Sequence, residues 1–177
     1  FYIGLDKKLD TLAHHNLFFD VNFDAHAGSI YDTPEWPEDP LFYVNLPSQS
    51  DPLMAPKGKE ACFILIPIAP NLEDTTELRE KYFNIVLERM EQLMDTDIKP
   101  HILFNESFCV KEFKKVYNSY KGNAYGMANT LLQTAFLRPK MKSKVVDGLY
   151  FTGQLTVPGP GVPPALISGK IVANFIN

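Results

Sequence analysis

Proline divides this chain into short segments, and this constrains the fold more than any other feature of the sequence. Fourteen of the 177 residues are proline, and most of them cluster in residues 34–40, 47–56 and 158–164. Because proline lacks an amide hydrogen and fixes φ, it interrupts helix interiors and central strands. The stretches between the clusters therefore have room for short strands and a few helices.

Runs of aromatic and β-branched residues predict five strands in the first two thirds of the chain. They are residues 1–5, 17–23, 41–46, 61–68 and 102–109. The run 61–68 is almost entirely apolar, which is typical of a strand buried on both faces. A further buried strand is predicted at residues 148–153, where it ends at Gly153.

The clearest helix begins at Asp74, Thr75 or Thr76 and runs to about Met94, because its apolar residues recur at steps of three and four. Shorter helices are predicted at residues 24–31, capped by Asp24, and at residues 110–120. An apolar helix at residues 162–175 opens with two prolines, which the first helical turn tolerates.

Composition is that of a globular protein, with 45% hydrophobic and 21% charged residues. A net charge of -4 argues against a nucleic-acid partner, because phosphates require a basic face. The longest apolar run, residues 62–66, is too short to cross a bilayer. Cys62 and Cys109 suit a reducing compartment, and a disulfide between them stays an alternative. The chain starts in a strand without a methionine or leader, so we expect it to be part of a longer protein.

The usual catalytic and metal-binding patterns are not found in the sequence. His14 and His15 are adjacent, so on a strand they would face opposite ways, and His26 and His101 lack ligand spacing to either. There is no G-x-S-x-G nucleophile elbow. Cys62 lies in an apolar run and is interpreted as an inert core residue. We therefore predict no metal site and identify no catalytic residue.

The segment Pro158-Gly-Pro-Gly-Val-Pro-Pro164 is the part of the chain that departs most from local rules. Its glycines permit a close approach of the main chain to a ligand, and a helix follows at once with its positive end. This arrangement suits a phosphate or an electron-rich ring. It is not the G-x-G-x-x-G fingerprint, because Pro164 stands at the third glycine position. A proline-stiffened turn without a ligand is the alternative.

A family resemblance favours the ligand-binding reading. Three C-terminal motifs, FLRP (136–139), VDGLYFTG (146–153) and PGPGVP (158–163), resemble the C-terminal signature of bacterial-type phytoene desaturases, which are FAD-dependent carotenoid desaturases. Upstream motifs agree in order: LAHHN (12–16), YVN (43–45), PSQSDP (47–52) and APKG (55–58). The sequence departs from the family at Gln154, Val157 and Pro164.

The resemblance implies an α+β fold. Residues 1–135 would form the substrate-binding portion, a mixed and largely antiparallel sheet with helices on one face. Residues 136–177 would supply a C-terminal strand–helix unit that completes a Rossmann-like FAD domain. The N-terminal dinucleotide-binding unit of the family is absent from this chain, so we expect the chain alone to be inactive and to bind FAD poorly.

The resemblance also implies a reaction and the residues that serve it. A hydride and a proton leave adjacent saturated carbons of a long polyene, either phytoene or a hydroxycarotenoid, and FAD accepts the hydride. The residues expected to contact FAD are Gly153, Gln154, Gly159, Pro160, Gly161, Val162, Pro163 and Arg138. For Arg138, a surface salt bridge is the alternative.

The substrate-lining residues implied in the same way are His14, His15, Phe18 and Tyr43. Phe18, Tyr43 and other aromatic residues on the predicted strands would line a hydrocarbon tunnel, although core packing explains them as well. An apolar substrate implies a cytoplasmic protein that associates peripherally with the membrane.

Other functions remain open. The chain is alternatively a non-catalytic module that binds an apolar ligand or lipid, or part of a retinoid saturase or an amine-oxidase-like flavoprotein. The carotenoid used, the electron acceptor and the oligomeric state do not follow from the sequence.

Overall fold

Five short strands form one antiparallel sheet in the first part of the chain. The computed structural model describes residues 1–128 and 130–176. The strands are β1 (Tyr2–Leu5), β2 (His15–Phe18), β3 (Phe42–Asn45), β4 (Glu60–Leu65) and β5 (Ile102–Glu106), in the spatial order β2-β3-β4-β1-β5. All the pairings are antiparallel. The sheet was predicted as mixed and largely antiparallel; its antiparallel character is confirmed, and the described strands show no parallel pairing.

A single hydrophobic core lies on one face of this sheet. Helix α2 (Thr76–Met94) places Val86, Leu87 and Met90 against strand residues such as Val44 and Ile64, all of them buried. Alternate strand residues point to the core because the side-chain period of a strand is two. The side chain of Thr75 accepts a hydrogen bond from the amide of Leu78, so α2 starts within the predicted range.

Strand β4 alternates between buried and half-buried residues, so the prediction that this run is buried on both faces was wrong. The apolar composition of residues 61–68 does not reflect two covered faces. One side carries core residues such as Cys62 and Ile64, and the other carries residues such as Phe63 that are half-buried.

The aromatic run at residues 17–23 was predicted as one strand, and the structure divides it differently. Strand β2 ends at Phe18, and helix α1 (Phe23–Tyr31) begins soon afterwards. The side chain of Asn22 accepts hydrogen bonds from the amides of Asp24 and Ala25. Asn22, rather than Asp24, is therefore the N-cap.

Two other elements, a strand and a helix, end earlier than predicted. Strand β5 ends at Glu106, and helix α3 (Val110–Tyr117) ends where Asn118 adopts a left-handed conformation with φ of 51°. Asparagine tolerates this conformation well, which makes it a suitable helix terminator.

Two compact units divide the chain, residues 1–122 and residues 123–177. The first contains the sheet and helices α1 to α3. The second contains short 3-10 turns and helix α4 (Val162–Ile176), in which Ser168 and Val172 are buried. The boundary lies earlier than the functional division proposed at residue 135, which stays a prediction.

The prediction of a buried strand at residues 148–153 was wrong. Within the described residues, this segment makes one isolated bridge, between Lys142 and Tyr150. The amide of Phe151 donates to the carbonyl of Met141 over 2.7 Å, and no named strand results. A strand requires a partner along its length, and here the pairing extends over only a few residues. Phe151 is 46% exposed. The Rossmann-like FAD domain stays a prediction.

Candidate functional site

The turn that precedes α4 is tied to the helix by one buried hydroxyl group. Ser168 is fully buried, and its Oγ donates to the carbonyl of Ala165 over 2.6 Å. Because that bond uses its only hydrogen, Ser168 Oγ accepts from the amide of Gly153 (2.7 Å) and from the hydroxyl of Thr152 (2.6 Å). The backbone at Gly153, where φ is +100°, is thereby fixed to α4.

Arg138 lies on the inner side of the same region. It is 3% exposed, and its Nη1 donates to the carbonyl of Gln154 over 3.2 Å. A Cβ on Gly159 would stand 3.4 Å from Cζ and Nε of Arg138. The surface salt bridge considered for Arg138 is therefore wrong, because the side chain is buried. The space beside Gly159 that was expected to admit a ligand holds a guanidinium group instead.

Bare main chain is found at Gly153 and Gly161. No atom lies within 4 Å of the place where a Cβ on Gly153 would stand, and the proline ring of Pro164 is the neighbour at Gly161. Both residues have positive φ, +100° and +113°. A side chain at either position would be strained; the space beside Gly153 is open, whereas the ring of Pro164 lies 3.4 Å from the Cβ position of Gly161.

The first turn of α4 presents few amide donors. Ala165 donates to the carbonyl of Gly161 over 3.0 Å, which makes Gly161 the residue at the start of the helix. Pro163 and Pro164 have no amide hydrogen, so Val162 carries the only N–H group between Gly161 and Ala165. This helix end therefore offers a positive dipole and the amides of Gly161 and Val162. We call residues 158–164 the hinge; its Val157–Pro158 peptide bond is cis.

A second candidate site is the face of the sheet opposite to the core. Register places Tyr2 beside Phe63 and Tyr43 beside Leu65, with side chains on this face. The ring centroids of Tyr2 and Phe63 are 5.2 Å apart, those of Tyr43 and Phe63 are 6.4 Å apart, and those of His15 and Tyr43 are 6.0 Å apart. Four rings thus form a continuous row across β1, β4, β3 and β2. We call this surface the open face.

Two more apolar groups extend the open face. Leu17 lies beside Tyr43 in register and is 64% exposed. Phe104 lies across Gly4, where a Cβ would stand 2.3 Å from its ring, so only glycine permits this placement without a shift. The open face is therefore largely aromatic, and register also places Asn45 beside Phe63 and Glu106 beside Tyr2 on it.

The predicted substrate-lining residues do not all lie on this face. His15 and Tyr43 do, and His15 Nδ1 lies 2.5 Å from Tyr43 Oη. Phe18 lies on the opposite face and stacks on buried Phe42, with ring centroids 4.4 Å apart. His14 precedes β2, and its Nδ1 lies 2.6 Å from Ser50 Oγ.

The rings of His14 and His15 lie next to each other. Their centroids are 4.2 Å apart, so the prediction that they face opposite ways was wrong. The reason is that β2 begins at His15, and strand alternation does not apply to His14. In the part of the chain that the structure describes, no three His, Cys, Asp or Glu side chains come together to hold a metal ion.

The two cysteines are not reactive thiols. Cys62 is buried in β4, and burial raises the pKa of its thiol to about 12. Burial likewise raises the pKa of Cys109. Both are free thiols, so the alternative of a disulfide is not realised. Since neither ionises readily near neutral pH, neither is poised as a nucleophile.

An ion-pair network on the helical side is structural. Arg79 Nε and Nη2 donate to the two oxygens of Asp74 over 2.6 Å each, and Nη2 also donates to Glu112 over 2.6 Å. Burial opposes the ionisation of Asp74, but hydrogen bonds from Arg79 and the amide of Lys111 outweigh it and hold the pKa below its ordinary value of 3.8. The network connects the start of α2 to α3.

Comparison with known proteins gives homologues that match nearly the whole chain. No protein-family model matches the chain. Over 175 residues, which are 99% of the chain, it is 43% identical to the carotenoid 3,4-desaturase of Haloarcula japonica. The chain is homologous to the carotenoid desaturases. The chain is also 30% identical over 177 residues, 97% of its length, to the zeta-carotene-forming phytoene desaturase of Myxococcus xanthus. It is 32% identical over 179 residues, 99% of its length, to the 4,4'-diaponeurosporene oxygenase of Staphylococcus haemolyticus.

The chain spans only about a third of the length of these relatives. It covers 35% of the Haloarcula protein, 34% of the Myxococcus protein and 36% of the Staphylococcus protein. The similarity covers both compact units, so it includes the sheet as well as the hinge. None of the described helices is long and apolar enough to cross a membrane.

The sequence analysis gave no role to several residues that hold the two candidate sites in place. Ser168 and Thr152 fix the turn at Gly153, and Asn45 contacts His15. Thr152 and Asn45 lie within the motifs VDGLYFTG and YVN but were given no role, and Ser168 lies in no motif. A serine inside an otherwise apolar helix was the available signal for Ser168, because a buried hydroxyl group requires partners.

Proposed function

We propose that this chain is the C-terminal portion of a flavin-dependent desaturase that introduces C=C bonds into a long apolar polyene. The observation that carries the proposal is 43% identity over 99% of the chain with a carotenoid 3,4-desaturase. Phytoene and hydroxylated carotenoids are the substrate classes that we propose. The two candidate sites supply separate surfaces for a cofactor and for a substrate.

The hinge is suited to hold FAD. Gly153 leaves main chain bare where a Cβ would otherwise stand, and at Gly161 only the ring of Pro164 lies near that position. The amides of Gly161 and Val162 and the dipole of α4 would favour negative charge on a bound ring or phosphate. Arg138 supports this geometry from within, because it holds the carbonyl of Gln154 and packs on Gly159. FAD, when bound, supplies the acceptor for a hydride.

The open face is suited to an elongated hydrocarbon. Its row of rings crosses three strand spacings, about 14 Å in total. Apolar surface of this kind gains free energy when a hydrocarbon removes it from water, at about 25 cal/mol per Å². The contribution that we propose for this face is binding and orientation of the hydrocarbon.

Peripheral association with the cytoplasmic side of a membrane is part of the proposal. A polyene substrate resides in lipid, and the segment 131–137 carries Leu131, Leu132 and Phe136, each more than 80% exposed. Lys140, Lys142 and Lys144 follow and would favour anionic lipid. Flotation of the full-length protein with anionic liposomes tests this, and a protein that stays at the bottom of the gradient contradicts it.

Conversion of a polyene by the full-length protein tests the function. We expect the protein, incubated with FAD and phytoene or a hydroxycarotenoid in liposomes, to yield products with longer conjugation and absorption at longer wavelength. A non-catalytic module would bind the ligand without any change in its spectrum. Loss of double bonds would indicate a saturase, and oxidation of an amine would indicate an amine-oxidase-like flavoprotein. Any of these three results contradicts the proposal.

A further inference from the structure

The open face carries one hydrogen-bonded polar cluster at its edge. His15 lies on β2, which is the outermost strand on its side of the sheet, and its ring ends the row that begins at Tyr2. His15 Nδ1 lies 2.5 Å from Tyr43 Oη and 3.3 Å from Asn45 Nδ2. A surface that bound only hydrocarbon would have no use for polar groups at this position, since desolvating them costs free energy.

The neighbours of His15 determine which ring nitrogen carries the proton. Asn45 Nδ2 lies 3.0 Å from the carbonyl oxygen of His14. Because a carbonyl oxygen can only accept, the NH2 group of Asn45, and not its oxygen, faces this carbonyl. The same NH2 group faces His15 Nδ1, which must therefore be an acceptor. Nδ1 has one lone pair, so it accepts the hydrogen bond of Tyr43 Oη at 2.5 Å, while the Asn45 NH2 group at 3.3 Å is a weaker neighbour that disfavours a hydrogen on Nδ1. In the neutral ring the proton accordingly lies on Nε2.

The Nε2–H group of His15 is available to a ligand. Nδ1 is turned toward β3, so Nε2 lies on the side of the ring away from Tyr43 and Asn45. Within the described part of the chain, Nε2 makes no hydrogen bond, and the side chain is exposed. A fixed tautomer with an outward donor at the end of an apolar row is an arrangement that can recognise an acceptor atom.

We propose that His15 donates a hydrogen bond from Nε2–H to an oxygen atom, hydroxyl or keto, at one end of the elongated apolar ligand. The inference rests on the function proposed above and specifies its substrate: an oxygenated polyene rather than a pure hydrocarbon. Tyr43 and Asn45 are positioning residues that hold the tautomer and the ring. His15 is the specificity-determining residue.

Binding of two matched ligands tests the inference. The full-length protein with FAD is titrated with two polyenes that differ only by a terminal hydroxyl group, and Kd is measured for each by quenching of protein fluorescence. One hydrogen bond corresponds to a preference of about tenfold for the hydroxylated ligand. His15→Phe keeps an aromatic ring and should reduce this ratio to about one. Tyr43→Phe should reduce it in part, because only the tautomer is released.

Leu17→Ala is the matched control, since Leu17 lies on the same strand and face. It should weaken both ligands by the same factor and leave the ratio unchanged, because it removes apolar contact only. A ratio that falls in His15→Phe and stays in Leu17→Ala supports the inference.

Two results would overturn the inference and leave the proposed function intact. One is a wild-type protein that converts polyenes but binds both ligands equally well. The other is a His15→Phe variant that keeps the full preference, which would make the His15–Tyr43 pair a link between strands only. A wild-type protein that binds neither ligand overturns both the inference and the proposed function.

Discussion

The guanidinium group of Arg138 packs against Gly159 at the position where any other residue would place its side chain. A Cβ at Gly159 would stand 3.4 Å from Cζ and Nε of Arg138, and the γ-methyl groups of a valine would extend into it. The same guanidinium holds the carbonyl of Gln154. One buried cation therefore connects the turn after Gly153 to the hinge.

Gly159→Val and an Arg138 variant should consequently not be additive. Gly159→Val displaces Arg138 and also strains a backbone with φ of +132°. In an Arg138→Ala background the displacement no longer matters, so we expect a coupling free energy of about 0.5–3 kcal/mol in a double-mutant cycle. Thermal or urea unfolding of the full-length protein measures it, and strictly additive free energies would show that the two residues do not act together.

Gly161→Val should abolish the retention of FAD by the full-length protein without unfolding it. A valine here covers the open main chain at the start of α4. Gly148→Val is the control for backbone strain, because Gly148 also has positive φ but lies outside the hinge; its Cβ position is open, whereas that of Gly161 lies 3.4 Å from the ring of Pro164. Flavin absorbance after gel filtration gives the readout. If the two variants retain equal amounts of FAD, the hinge is only a turn.

Ser168→Ala should destabilise the turn at Gly153. The substitution leaves the partly buried amide of Gly153 and the exposed hydroxyl of Thr152 without their acceptor, which costs about 0.5–1.5 kcal/mol. Ile167→Ala, at the neighbouring and half-exposed position, should cost less. The midpoint of thermal unfolding compares the two variants, and equal midpoints would mean that Ser168 does not hold the turn.

The sequence predicted those elements that are specified by a local residue pattern, and it missed those that depend on contacts between distant residues. Helix α2 followed from its spacing and its threonine cap, and the antiparallel sheet followed from the strand runs. Residues 148–153 have the composition of a strand, but pairing requires a neighbour that composition does not reveal. The contact of His15 with Tyr43 depends on the register of β2 against β3, and the burial of Arg138 depends on tertiary packing. Neither is encoded in a local pattern.

Acid should destabilise the protein partly through Asp74. Its folded pKa lies below the ordinary 3.8, so the stabilisation is fully present above that value and is lost as the pH falls through 3.8 toward the folded pKa. Asp74→Asn should cost about 1–3 kcal/mol at neutral pH, because it removes the charge-assisted hydrogen bonds of Asp74 while Arg79 keeps Glu112 as a partner. It should also reduce the loss of stability on acidification.

The check on Asp74 is urea unfolding measured from about pH 6 to about pH 3. Asp24→Asn is the control, since the described structure shows no ion pair for Asp24. A wild-type protein and an Asp74→Asn variant with the same pH dependence would contradict the role assigned to this carboxylate.

The measurement that tests the account most directly is a structure of the full-length protein with FAD bound. The account predicts that the main chain of Gly161 and Val162 lies in van der Waals contact with the flavin, with Arg138 still behind Gly159. A flavin seated elsewhere, with no atom of residues 158–164 touching it, would contradict the assignment of the hinge.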